Sequence, residues 1–286
     1  MKILVTGAAG FIGSHLATRL LNRGDEIIGL DNVNDYYSPL LKEANIKRLS
    51  SYPTFKFYRE DIRNRARLIE IFEDEKFDAV VHLAAMAGVR NAVKFPELYV
   101  DVDYNGTQHL MDAARFSGVK NFVFASTSSV YGRTNQIPFQ ESDPCDRPLQ
   151  PYAAAKRAAE MLGFTYHYLY GLNVTVCRFF TVYGPNGRPD MMAFLVADSI
   201  KYGHPIPLYN SGEMYRDWTY IDDITQGLMR AADKPLGYEI LNIGRGEPTY
   251  LKTFIEIIED LAGQKANLID KPMLKVDIVR TYADIT

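Results

Sequence analysis

The chain predicts an α/β fold: a doubly wound parallel sheet followed by a smaller C-terminal part. Three observations carry this. Short apolar runs of strand type alternate with helical periodicity up to Phe180, a glycine turn joins the first strand to the first helix, and prolines and glycines become frequent from Gly184 onward. With 286 residues, 47% of them hydrophobic, the chain can fill such a core. We expect residues 1–183 to form the sheet domain and 184–286 a smaller lid.

Residues 2–6 are the first strand, Gly7-Ala8-Ala9-Gly10-Phe11-Ile12-Gly13 the turn, and residues 14–23 a helix with Leu16, Leu20 and Leu21 apolar. Gly7 permits the tight turn, Gly10 lets main chain approach a pyrophosphate, and Gly13 lets helix and strand pack closely. Free amides at the helix start, around Phe11 and Ile12, attract the anion. The second strand, residues 26–30, ends in Asp31, eighteen residues beyond Gly13. That offset suits a carboxylate accepting hydrogen bonds from the adenine ribose hydroxyls, with Asn32 beside it, and a 2'-phosphate would be repelled. The pattern is a Rossmann-type fingerprint, and the cofactor expected is NAD.

Further strands follow at residues 55–58, 78–83, 121–125 and 174–180, with helices at 63–74 and 98–116. Beyond Gly184, helices at 191–201, 222–232 and 251–261 are separated by short strands. No internal repeat or low-complexity segment interrupts them.

Composition narrows the partners. The net charge is -3 and the basic residues are scattered, leaving no electrostatic footprint for nucleic acid or anionic membrane. Two cysteines, Cys145 and Cys177, form no CxxC pattern, and the five histidines show no paired ligand spacing, which argues against disulfides and metal. No apolar run approaches a membrane span. The expectation is a cytoplasmic protein with reduced thiols.

In such sheets ligands bind beyond the carboxyl ends of the strands, so the loops after Val5, Leu30, Tyr58, Leu83, Ala125 and Phe180 should face one cleft. Two segments there carry reactive side chains: Ser126-Thr127-Ser128-Ser129-Val130-Tyr131-Gly132, and a helix start with Tyr152 and Lys156. Four apart on a helix, that pair shares a face, where the ammonium can favour a phenolate able to take a proton from an alcohol. With 19 tyrosines a YxxxK pair also arises by chance, so its weight comes from the hydroxyl-rich loop and the dinucleotide fingerprint beside it.

With these motifs the chain resembles the extended short-chain dehydrogenase/reductases that act on nucleotide sugars, most closely the UDP-glucuronate 4-epimerases. The carriers are the glycine turn, His82-Leu83-Ala84-Ala85, residues 126–132, Tyr152 with Lys156, Arg178-Phe179-Phe180-Thr181-Val182-Tyr183-Gly184-Pro185 and Arg216-Asp217-Trp218-Thr219-Tyr220-Ile221-Asp222-Asp223. The resemblance implies Thr127, Tyr152 and Lys156 as catalytic triad, with Thr127 also touching the sugar and Tyr152 and Lys156 also touching the cofactor, where Lys156 holds the nicotinamide ribose; it implies Asp61 and Ile62 at the adenine, and Leu83, Ala84 and Ala85 along the cofactor. It implies a UDP-sugar held by Arg90, Ser128, Ser129, Thr181, Arg188, Arg216 and Asp277, and a homodimer joined through helices 98–116 and 153–169. Dehydratases of the family carry Asp-Glu where Ser128-Ser129 stand, decarboxylases carry Glu at the Ser129 position, and galactose-type epimerases usually show RYFN where this chain has Arg178-Phe179-Phe180-Thr181. These differences favour a uronic acid. A galactose-type epimerase, a 4-ketoreductase and a non-catalytic dinucleotide-binding protein are the alternatives.

The chain departs from the family pattern in three places: Asp103 stands for the Asn of NxxGT, Met86 for a usual Gln and Val276 for the Gly before Asp277; we expect it to stop short of the closing helix most relatives carry.

Overall fold

The computed structural model describes residues 1–134 and 136–286. In chain order the elements are β1 (Lys2–Thr6), α1 (Phe11–Arg23), β2 (Glu26–Asp31), α2 (Pro39–Leu49), β3 (Phe55–Arg59), α3 (Arg65–Glu75), β4 (Ala79–His82), α4 (Val89–Lys94), α5 (Pro96–Tyr99), a π-helical turn (Val100–Gly106), α6 (Thr107–Phe116) and β5 (Asn121–Thr127). After a short 3₁₀ turn (Ser128–Tyr131) come α7 (Pro151–Tyr170), β6 (Val174–Phe179), β7 (Thr181–Tyr183), α8 (Met192–Tyr202), β8 (Ile206–Tyr209) and β9 (Tyr215–Tyr220). The last are α9 (Ile221–Asp233), β10 (Tyr238–Ile243), β11 (Pro248–Tyr250), α10 (Leu251–Ala262), β12 (Leu268–Lys271) and β13 (Arg280–Thr281).

Seven strands form one parallel sheet in the order β10-β6-β5-β4-β1-β2-β3. The order reverses between β4 and β1, and such a switch point opens a crevice at the strands' carboxyl ends. Both faces are covered, because successive residues point to opposite sides. Leu4, Ile28, Val80 and Phe122 pack with Leu68, Leu110 and Ala159 of α3, α6 and α7 on one side. Ile3, Ile27, Val81 and Val123 pack with Leu16 and Leu20 of α1 and Ile224 and Leu228 of α9 on the other. Each such side chain, fully withdrawn from water, contributes about 1.5–3 kcal/mol.

Two features differ from the sequence expectation. The boundary at residue 183 does not divide the molecule in space: α9 covers one face of the main sheet and β10 pairs with β6 as its seventh strand. The lid proper is smaller, with its own core of Val196, Ile206, Leu208, Trp218 and Ile255, where Trp218 stacks on Phe254 at 3.7 Å between ring centroids. The helix expected over residues 98–116 is broken by the π turn, and Thr107 Oγ1, at the start of α6, donates to the Asp103 carbonyl within it at 2.7 Å. A 3.6-residue hydrophobic repeat carries no signal for one extra residue in a turn.

Candidate active site

One cleft of about 750 Å³ opens at the switch point and runs under the lid. Every residue expected to bind or react lines it, from Gly7 in the first turn to Asp277 near the chain end.

Its floor is main chain. Gly7 has φ +69°, and a Cβ there would lie 2.8 Å from Ala84 N. A Cβ on Gly13 would run into the Gly7 carbonyl, and one on Gly10 would come within 3.1 Å of the same oxygen. The cradle therefore tolerates no side chain at Gly7 or Gly13, and the first-turn amides of Phe11, Ile12 and Gly13 open into the cleft without intrahelical partners. At the end of β2, Asp31 is buried, with Oδ1 accepting from Val33 N at 2.8 Å and Oδ2 from Ala9 N at 3.2 Å. Burial raises its pKa, opposed by Lys42 and those amides. Asp61 takes two bonds from the Arg63 guanidinium and one from Asn32 Nδ2 at 2.8 Å, which hold its carboxyl down at about 2. Ile62 is buried beside it.

The amides of Leu83 and Ala84 both donate to Thr6 Oγ1 at 3.1 Å. Having accepted twice, the Thr6 hydroxyl directs its proton to His82 Nδ1, 2.7 Å away, which assigns the imidazole proton to Nε2, donating to Thr107 Oγ1 at 2.9 Å. Burial, with Lys156 nearby, keeps His82 neutral. A continuous chain of hydrogen bonds thus joins the Leu83-Ala84-Ala85 strip to the π turn. Sequence reading singled out His82 as part of a motif but missed this role, because Thr6 and Thr107 are 101 residues apart in sequence.

The reactive wall is built from β5 and α7. Thr127 ends β5, and its Oγ1 accepts from Ser129 N at 3.1 Å, turning Ser128 and Ser129 into the cleft. Pro151 starts α7 and the Gln150 side chain caps it, accepting from Ala153 N at 3.1 Å. Tyr152 therefore sits in the first turn with Lys156 below it. Lys156 is 1% exposed, its Nζ donating to the Ala125 carbonyl at 3.0 Å over the Phe124 ring. One turn further on, Glu160 accepts from Ser126 Oγ at 2.5 Å, from Arg178 Nε and Nη2 at 3.1 and 2.8 Å, and from Arg157 Nη1 at 2.9 Å. This buried cluster fixes α7 against β5 and β6. It was missed because nothing in the spacing marks Glu160 as paired.

The spacing of Tyr152 and Lys156 led us to expect an ammonium that favours the phenolate. Burial has the larger effect: burial and then Asp103 raise the Tyr152 pKa, while Arg188 and the Thr127 hydroxyl oppose them. Burial lowers that of Lys156, against the pull of Asp103 and Glu160. The phenol is thus protonated at rest.

On the lid side Thr181 starts β7, paired with Trp218 of β9. Arg188 holds Asp190 through two bonds at 2.7 and 3.0 Å, and Tyr36 Oη donates to the same carboxylate at 3.2 Å. Arg90 lies 3.3 Å from Asp277 Oδ2 and over the Tyr209 ring. Arg216 donates to the Tyr215 carbonyl, and its pKa is lowered by burial and by Arg90, with Asp277 opposing. Three guanidiniums against two carboxylates leave this end positive, which suits an anion. Among the described residues no cluster of His, Cys, Asp or Glu could hold a metal ion, and no helix is long and apolar enough to cross a membrane.

A glycine-floored crevice beside a Thr, Tyr and Lys defines a dinucleotide-dependent oxidoreductase-type site. The chain belongs to the NAD dependent epimerase/dehydratase family, which matches residues 3–244. It is 47% identical to the UDP-glucuronate 4-epimerase of Thermodesulfobacterium geofontis over 284 residues, covering 99% of this chain and 87% of that protein. Among solved structures it resembles the UDP-glucuronic acid 4-epimerase of Bacillus cereus in complex with UDP-glucuronic acid and NAD. That match has a TM-score of 0.91 and 36% identity, over all of this chain and 90% of that one. The UDP-glucose 4-epimerase of Thermus thermophilus, in complex with NAD, matches at a TM-score of 0.89 and 31% identity, over 99% and 90%.

Proposed function

We propose that the protein interconverts UDP-glucuronate and UDP-galacturonate by inverting carbon 4. The supporting observation is the wall around Tyr152: Thr127, Ser128, Ser129 and Thr181 bring four hydroxyls to the cleft, with no carboxylate at positions 128 or 129. Neutral hydroxyls can hydrogen-bond a sugar carboxylate without adding a second negative charge.

Gly7, Gly10, Phe11, Ile12, Gly13, Asp31, Asn32, Asp61, Ile62 and the strip Leu83 to Ala85 hold NAD, which supplies the acceptor and donor of the carbon-4 hydride. Tyr152 takes the proton of the 4-hydroxyl, Thr127 hydrogen-bonds the same oxygen, and Lys156 supports the phenolate. The resulting 4-keto sugar turns about its link to the diphosphate, anchored by Arg188, Arg216 and Arg90. Tyr152 then returns the proton as the hydride is restored on the other face. A 4-keto uronate loses carbon dioxide when its carboxylate bond aligns with the carbonyl π system, and the grip of Ser128, Ser129 and Thr181 holds it out of that alignment.

The protein acts in the cytoplasm, where its two free, buried cysteines stay reduced, and as a homodimer. Exposed Met161, Phe164, Tyr168 and Leu169 on α7 supply an apolar face for the partner. Incubation of purified protein with UDP-glucuronate, without added coenzyme, should yield UDP-galacturonate. Conversion of UDP-galactose but not of UDP-galacturonate would replace this reading with the neutral-sugar one.

A further inference from the structure

Behind the reactive wall of the cleft lies an ionisable side chain that the mechanism does not use. Asp103, in the π turn, is fully buried; its Oδ1 accepts from Met86 N at 2.7 Å, and its Oδ2 has no partner. An ionised carboxylate withdrawn from water needs several donors or a paired cation. Asp103 has one donor, and among the described residues no cation lies within ion-pair distance of it, since Lys156 directs its ammonium to the Ala125 carbonyl. The arrangement suits an acid that keeps a proton on Oδ2 while Oδ1 accepts the amide.

The ionisable groups facing Asp103 are Tyr99 at the end of α5 and Tyr152 and Lys156 on α7. His82 at the end of β4 reaches its carbonyl through Thr107. The charged side chains of α6 are engaged elsewhere, Arg115 with Asp112 and Asp112 with Tyr166. Asp101, on the same π turn, pairs with Arg63 at the surface. Any charge on Asp103 is therefore felt mainly by the catalytic pair.

We propose that Asp103 is a proton-switched positioning residue: neutral, it anchors the Met86 amide and leaves Tyr152 free to ionise, and once ionised it opposes the Tyr152 phenolate. This rests on Tyr152 as the base. The switch lies in the working range, because burial raises the Asp103 carboxyl to about 7 against the pull of Lys156 and the Met86 amide. Two negative charges on neighbouring side chains disfavour each other, so the two groups titrate as a coupled pair and the rise of activity with pH is spread over both ionisations.

Asp103→Asn retains an acceptor for Met86 N and cannot ionise. Its kcat/KM should rise with pH in one step, with the acid limb displaced downward by about one pH unit from that of the wild type. A merely structural role would alter the magnitude of kcat/KM and leave the limb in place. Infrared difference spectra of the wild-type protein between about pH 6 and about pH 9 read the acid directly, since ordinary carboxyls are already ionised there. A protonated-carboxyl C=O band should be lost on raising the pH and be missing from Asp103→Asn. Wild type should also lose thermal stability relative to the variant as pH rises from about 4 to about 7, because the native state binds the proton more tightly than the unfolded chain. Coincident pH profiles of two folded proteins, or no such band in the wild type, would overturn the proposal. If Tyr152→Phe kept full turnover, the reading of the base would fail while the Asp103 band remained, so the two failures are separable.

Discussion

The two halves of the cleft are built by different means. On the cofactor side, main chain does the shaping: a glycine turn, helix-start amides and strand ends, with side chains such as Asp31 held by neighbouring backbone amides. On the lid side, side chains far apart in sequence do it, as Arg90 with Asp277 and Tyr36 with Asp190 are separated by 187 and 154 residues. The first half is rigid because its geometry is that of the sheet itself. The second is a set of side-chain contacts, among them the ion pairs of Arg90 with Asp277 and of Arg188 with Asp190, whose arginines are partly exposed.

The contrast can be tested from its strongest consequence downward. Tyr152→Phe removes the proton acceptor from the rigid wall, and kcat should fall about 10²- to 10⁴-fold while NAD binding, followed by calorimetry, is retained. Unchanged turnover would remove Tyr152 from its role. Glu160→Gln breaks the buried cluster beneath α7 and leaves Arg178 without its carboxylate; stability in urea should drop by about 3 kcal/mol, with kcat falling alongside. Thr181→Ala loosens the grip on the sugar acid, and mass spectrometry should detect UDP-pentose as a minor product; uronate alone at undiminished rate would count against that grip. Arg90→Met, at the exposed rim, should raise KM on the order of threefold and leave kcat and stability nearly unchanged. A large loss of stability there would show that the lid is as rigid as the sheet.

The same contrast decides how much could be read without coordinates. The strand, glycine turn, helix and Asp31 follow one another within the first 31 residues, so local periodicity sufficed to place the cofactor side, and six of the seven sheet strands were visible as apolar runs. The seventh, β10, was read as part of the lid because its partner, β6, is distant and only pairing reveals the sheet to which a strand belongs. The π turn is not read from the sequence, because residues 98–116 carry enough apolar positions to pass for one amphipathic helix. Asp103 was noticed as an unusual residue, but whether it would be charged depended on the count of donors around it. The spacing of Tyr152 and Lys156 puts the two on one face of α7, where both line the cleft, but says nothing of the burial that raises the one pKa and lowers the other. The lid arginines were legible only through resemblance, their partners being set by tertiary contact.

The central step is a hydride that leaves carbon 4 and returns to the same carbon on its other face. UDP-glucuronate carrying deuterium at carbon 4 should give UDP-galacturonate that retains the label in full, in ordinary water and without added coenzyme. Loss of the deuterium to solvent would contradict it.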